Sequence, residues 1–360
     1  MRNVLYFITL LVLVLSGGGC RRTTTFPGTN VNLGFSSDTI YLDTVFSGVG
    51  SSTRTLKVYN TSTEDMTIDR VYLSRGEESF YRMNVDGVSG RTVEDVEILA
   101  GDSAYVFLEI SPDAAGLTEL VYEDSIFFEN GSVRQKVLLV TAVWDAIYHF
   151  PTNVLTIARP EPLPPLKLAY SVLEENAHWD HSKPHVVYGY AVVDSAQSLT
   201  IDPGTQVHFH AGSGLWVYRD GQLSVDPQEI GDMSNPVVFQ GDRLEPSYEW
   251  VPGQWGGLLG GIFIMSGAQT SVQLNNVLIK NATTAVRVDS AWGSTPNLEL
   301  HNVLITHNSR VSLYGGFANI RGTNVAIGPS GVYGLYGLGG NYQFDHSTFL
   351  NSWGFSSRGG

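Results

Sequence analysis

From Thr39 to Val143 apolar and polar residues alternate in short runs, the two-residue period of a half-buried strand. The runs are Thr39–Val45, Arg54–Tyr59, Met66–Leu73, Val93–Ile98, Ala104–Ile110, Ser125–Glu129 and Val133–Val143. Turn-rich breaks such as Asn60-Thr61-Ser62, Asp86-Gly87, Ala100-Gly101-Asp102 and Glu129-Asn130-Gly131 separate them. Several short strands at this spacing predict a β-sandwich over residues 38–144. Residues 145–170 then hold Pro151, Pro160, Pro162, Pro164 and Pro165, and clustered prolines predict a stiff, extended connector.

Past residue 195 a longer period takes over. Leu274, Val277 and Ile279 are followed by Asn281, and the frame returns as Leu300, Val303, Ile305 and His307-Asn308. It returns again as Val325 and Ile327, then as Phe344, Ser347, Phe349 and Asn351. Val286 and Val288 follow the first copy, as Val311 and Leu313 follow the second. A repeat of 22–26 residues built from period-2 strands predicts one coil of a parallel β-helix per copy. Equivalent residues then stack ~4.8 Å apart, so inward positions must be apolar in every coil. Asn276, Asn302 and Asn324 share one corner, where an amide can hydrogen-bond its copies above and below. Asp345 falls in the place of Asn275 and His301, and His346 in that of the three asparagines.

Two resemblances follow from these motifs. Leu56-Lys57-Val58-Tyr59-Asn60, Met66-Thr67-Ile68, Val96-Glu97-Ile98-Leu99-Ala100-Gly101-Asp102 and Val106-Phe107-Leu108 resemble immunoglobulin-like ASH/MSP-type domains, which implies a spacer or binding module. Leu199-Thr200-Ile201-Asp202-Pro203-Gly204-Thr205, Gly221-Gln222-Leu223-Ser224-Val225, Pro236-Val237-Val238-Phe239 and Trp255-Gly256-Gly257-Leu258 arrive in that order. Together they resemble the pectin-lyase-like right-handed β-helix proteins of bacterial envelopes over residues 171–360. The expected fold class is therefore all-β: an N-terminal immunoglobulin-like sandwich followed by a right-handed parallel β-helix. A solenoid end exposes core and strand edges unless covered, so a cap is expected beyond Gly360 or from a partner.

The first residues carry a different message. Arg2, the run Val4 to Leu15 and the small residues Ser16-Gly17-Gly18-Gly19 read as a signal peptide over 1–19, too short to span ~30 Å of hydrocarbon. Cys20, the only cysteine, stands where the lipobox of bacterial lipoproteins places its acylated residue, although Gly17 occupies the usual leucine position. That resemblance implies a lipid anchor at Cys20, a tether over 20–37 and a place in the bacterial cell envelope, at the outer membrane, with the periplasmic or outer side left open. The formal charge of −14 excludes a basic nucleic-acid face.

Candidate chemistry is sparse, and no catalytic, cofactor or metal residue is assigned. Asp345-His346 lies in a strand similar to the calcium-binding strand of pectate lyases, but the register makes it a polar corner without the added carboxylates that calcium needs. Asp289 and Asp345, the one carboxylate pair to consider for glycoside hydrolysis, are expected three coils apart. His178, His181, His185, His208 and His210 lack zinc-ligand spacing and read as solvated surface residues. Trp255 reads as structural beside two glycines, whereas Trp250 and Trp292, in loops, are binding candidates with Asp345 and His346. The function expected is a non-catalytic envelope lipoprotein whose β-helix offers an elongated binding or scaffolding surface for a polysaccharide or an envelope protein. The alternative is a carbohydrate-active enzyme, a polysaccharide lyase or glycoside hydrolase of the same fold.

Overall fold

The computed structural model describes residues 32–113, 120–227 and 233–351. It divides into two compact units, one ending at Val143 and one beginning at Trp144. In the first, ten strands form two five-stranded sheets: Gly34–Phe35 (β1), Thr39–Phe46 (β2), Arg54–Tyr59 (β3), Met66–Leu73 (β4), Tyr81–Val85 (β5), Val88–Gly90 (β6), Thr92–Ile98 (β7), Ser103–Ile110 (β8), Val121–Asn130 (β9) and Val133–Trp144 (β10). One sheet runs β1-β3-β8-β5-β6 and the other β2-β10-β9-β4-β7. Pairings β3–β8, β5–β8, β4–β7, β4–β9 and β9–β10 are antiparallel, so the sandwich expected from the alternation is present. Alternate residues such as Leu56, Val58, Ile68, Val106 and Leu108 fill its core. Buried Asn60 holds one corner by donating to the carbonyls of Glu64, Ile98 and Leu99. The ordered unit starts earlier than the tether boundary at 37, because Gly34 and Phe35 pair with Tyr59 and Val58.

The proline-rich stretch is not a free connector. Ile147–His149 (β11), Asn153–Ile157 (β12) and Leu166–Val172 (β13) belong to the second unit. β11 lies parallel to His185–Val187, β12 antiparallel to β13, and β13 parallel to Tyr190–Val192. All five prolines fall between these strands, where no ladder N–H is needed, so composition alone hid the pairing.

The second unit is a parallel β-solenoid of about seven turns. Val277 pairs with Val303 and Val303 with Val325, and all three are buried in one core. Leu274, Leu300, Gly322 and Phe344 stack likewise, as do Ile279, Ile305, Ile327 and Phe349. The flanking strand differs from its expected alignment by two residues: Val286 pairs with Leu313 and Val288 with Gly315. Two glycines leave room for rings of the next coil. A Cβ on Gly315 would meet Tyr342, and one on Gly322 would meet Phe344 at 2.5 Å.

The corner amides form the expected ladder. Asn302 donates to Asn276 Oδ1 at 3.0 Å, Asn324 donates to Asn302 Oδ1, and Asn276 donates to the Asp226 carboxylate of an earlier coil at 2.8 Å. Asp226, Asn276, Asn302, Asn324 and His346 all have φ between 47° and 57°. Short polar side chains tolerate this left-handed conformation best, so one residue type satisfies both the bend and the bond.

The histidines expected at the surface split into two groups. His178 and His210 are exposed and hydrogen-bonded to Asp202 and Asp242. His185 and His208 are buried. His149 donates from Nε2 to His185 Nδ1 at 3.0 Å, because His185 Nε2 is committed to the Asp180 carbonyl. Both rings stack on Trp179, at 4.6 and 4.8 Å, and cover the core at the first coils. His208 donates to the Gly241 carbonyl and lies edge-on to Trp144. Apolar cover of this kind is invisible in a spacing search for ligands.

Two predictions follow from the packing. Asn302→Ala removes two amide contacts and places a Cβ without a polar tip at a φ of 55°. It should cost about 2–4 kcal/mol in denaturant unfolding, and Asn302→Gly should recover part of that loss. The second concerns pH. Burial lowers His149 and His208 from 6.5 to about 4, so the unfolded chain binds more protons between these values. Stability should be full above pH ~6.5 and fall as the pH drops towards 4, by about 3 kcal/mol for His149 alone. Urea midpoints at pH 7 and 4.5 measure this, and His149→Phe, which keeps a stacking ring, should shrink the difference while leaving the share of His208.

Candidate functional site

One outward-facing column of the solenoid is lined by rings. The register sets Val192 beside Trp216, Trp216 beside Phe263, Phe263 beside Arg287, Arg287 beside Tyr314 and Tyr314 beside Tyr336. Neighbours on either side of each point inward, as strand alternation requires: Val286, Val288 and Leu313 are buried in the core. Trp216 and Phe263 have ring centroids 5.9 Å apart, and Tyr314 and Tyr336 stack at 5.4 Å and 10°. The Arg287 guanidinium sits between Phe263, at 5.0 Å, and Tyr314, at 5.5 Å. Asp289, two residues along the strand, accepts from Arg287 Nε and Nη2.

The lower part of the column is covered and the upper part is open. Val192 and Trp216 pack into a second apolar cluster with Leu168, Tyr190, Tyr218 and Leu259. The Tyr190 hydroxyl donates to the Gly260 carbonyl, which fixes the 256–260 loop. That loop is held from inside by Trp255, which is fully buried, stacks on Phe209 at 4.3 Å and donates Nε1 to the Lys280 carbonyl. Trp255 is therefore structural, and Gly261 must be small because a Cβ there would lie 2.6 Å from the indole. Beyond the loop a groove of about 670 Å³ opens, with Thr283, Thr284, Arg310 and the three tyrosines Tyr314, Tyr333 and Tyr336 on its walls. Tyr333 and Tyr336 pack at 5.2 Å.

The residues singled out in the sequence are not brought together. Cys20 lies outside the described residues. Trp250 is half exposed, but its ring carries the Lys280 ammonium at 4.6 Å and packs on His307 at 4.8 Å. Asn281 donates to the Glu249 and Val251 carbonyls on either side of it, so this loop is pinned to the coil. Trp292 is exposed in the loop between Thr284–Asp289 and Leu298–Thr306. Asp345 is exposed, pairs in register with Thr323 and accepts from Gln343 Nε2, while His346 takes the corner conformation at φ 51°. The register places Asp289 level with Gly316 and Leu338, two coils from the strand of Asp345 rather than three, and in a different column. Among the described residues no three His, Cys, Asp or Glu side chains converge closely enough to hold a metal ion.

The tyrosine groove was missed in the sequence because outward positions carry no core period. A signal was nonetheless present: Tyr314 and Tyr336 are one 22-residue coil apart.

No family model matches the sequence, and no curated protein matches it. Among solved structures, it is similar to a family 123 glycoside hydrolase from Clostridium perfringens, at 10% identity, over 41% of this chain and 30% of that one. The TM-score is 0.25, a likeness too slight to carry an argument about fold or chemistry. Among the described residues no helix is long and apolar enough to cross a membrane.

Proposed function

We propose that the chain is a lipid-anchored protein of the bacterial cell envelope that binds carbohydrate on the outward ring column of its solenoid and does not process it. The observation that carries this reading is the open end of the column, where Tyr314 and Tyr336 stack and Tyr333 flanks them over a groove. Aromatic faces held in a rigid row suit the apolar faces of successive sugar rings, and their fixed geometry keeps the entropy cost of binding low. The resemblance of residues 171–360 to pectin-lyase-like envelope proteins supports the same class of ligand. The resemblance of the N-terminal unit to immunoglobulin-like ASH/MSP-type domains supports a spacer that holds the solenoid away from the anchor at Cys20.

Binding of the purified protein to an oligosaccharide panel tests the reading. Tyr336→Ala should weaken the best ligand by about tenfold, as loss of one aromatic stacking contact implies, while thermal unfolding stays close to wild type. Binding that is indifferent to Tyr336, or new reducing ends released from the bound glycan, would overturn it. The anchor is tested separately. A Cys20→Ser variant should leave the detergent phase for the aqueous phase, and equal partition of both proteins would refute acylation.

A further inference from the structure

We infer that the groove beside Tyr314 and Tyr336 selects saccharides carrying a negatively charged substituent, with Arg310 as the residue that reads the charge. The inference rests on the carbohydrate reading above and goes beyond it in naming the ligand class.

Arg310 lines the groove and is exposed. Its backbone is fixed between coils, the N–H donating to the Thr283 carbonyl and its own carbonyl accepting from Val332 and Tyr333. Its guanidinium makes no ion pair or hydrogen bond with another described residue. The contrast with Arg287 on the same wall is chemical. Arg287 is neutralised by Asp289 and held between two rings, so it serves as part of the platform. Arg310 keeps all its donors for a ligand, and its planar fork matches a carboxylate or a sulfate.

The local charge balance permits an anion here. The whole chain carries −14, yet residues 256–351 hold Lys280, Arg287, Arg310 and Arg321 against Asp289, Glu299 and Asp345, a net +1. The acidic excess therefore lies in the rest of the molecule. The hydroxyls of Tyr314, Tyr333, Tyr336 and Thr284 also make no hydrogen bond to another described residue, whereas that of neighbouring Tyr342 is committed to the Gly315 and Gly339 carbonyls. Stacking rings, free hydroxyls and one unpaired guanidinium in one groove fit a sugar ring with a single anionic group. A neutral glycan could accept hydrogen bonds from the guanidinium, but only an anionic group would also pair its charge.

The test is an array on which each neutral oligosaccharide is paired with its sulfated and its carboxylated form, read with the full-length protein at low and high salt. Charged members should bind at least about tenfold more tightly than their neutral parents, and Arg310→Gln should remove that preference without removing binding to the neutral parent. Arg310→Lys should restore part of the preference, because it returns the charge without the fork. A stronger response to sulfate or to carboxylate identifies the group, and either one supports the inference. Equal binding of charged and neutral forms would overturn the inference while leaving the carbohydrate reading in place. A preference that survives Arg310→Gln would also overturn it. No binding to any member would overturn both.

Discussion

Every feature of the second unit depends on the backbone ladder that sets each coil directly on the one before it. Strand-to-strand hydrogen bonds fix that rise at ~4.8 Å, so a residue's nearest neighbours are its equivalents in adjacent coils. Inside, this produces columns such as Val277, Val303 and Val325. At the corner it produces the amide ladder that runs from Asp226 to Asn324. Outside, the same spacing brings Tyr314 and Tyr336 to 5.4 Å, close to the separation that stacked rings favour. One constraint thus builds the core, the bend and the exposed row of rings.

Departures from the repeat are compensated by neighbouring coils. Gly315 and Gly322 leave the inward columns short of volume, and Tyr342 and Phe344 from the following coil occupy the space. Trp255 enters the core from a loop rather than a strand, and Gly261 makes room for it. The excursion that delivers Trp255 also shapes the 256–260 loop that bounds the groove. Core packing and groove geometry are therefore coupled: the buried indole positions the rim.

The fold was legible wherever burial forced apolar residues into a period. The sandwich alternation and the Val277–Val303–Val325 frame follow directly from that pressure, and the corner asparagines were readable because a left-handed bend and an amide ladder accept few residue types. Asp226 escaped notice because it lies 50 residues before Asn276, across a long excursion that breaks the spacing. Strands β11 to β13 escaped because their prolines dominate the composition although none lies within a strand. His185 and His208 were misjudged because side chains from distant segments, His149 and Trp144, cover them, with nearby Trp179 stacked on His185 as well. Of the candidate site less was legible. Trp250 and Trp292 stood out by residue type, but the rings that gather at the groove are tyrosines, common in strands for reasons unrelated to binding.

The outward column differs from the inward ones in what holds it in place. An inward valine gains from leaving water, so its identity follows from stability alone. An exposed Tyr336 gains little in that way, and the chain keeps rings at this column only in part under cover. Where the 256–260 loop and β13 lie over it, Val192, Trp216 and Tyr190 form a closed apolar cluster that folding itself explains. Above the loop that explanation ends: Tyr333 and Tyr336 remain exposed, their hydroxyls unbonded within the described structure and Arg310 beside them without a counter-charge. Burial does not select the identity of these exposed residues, and the row they form is the feature on which the proposed binding rests.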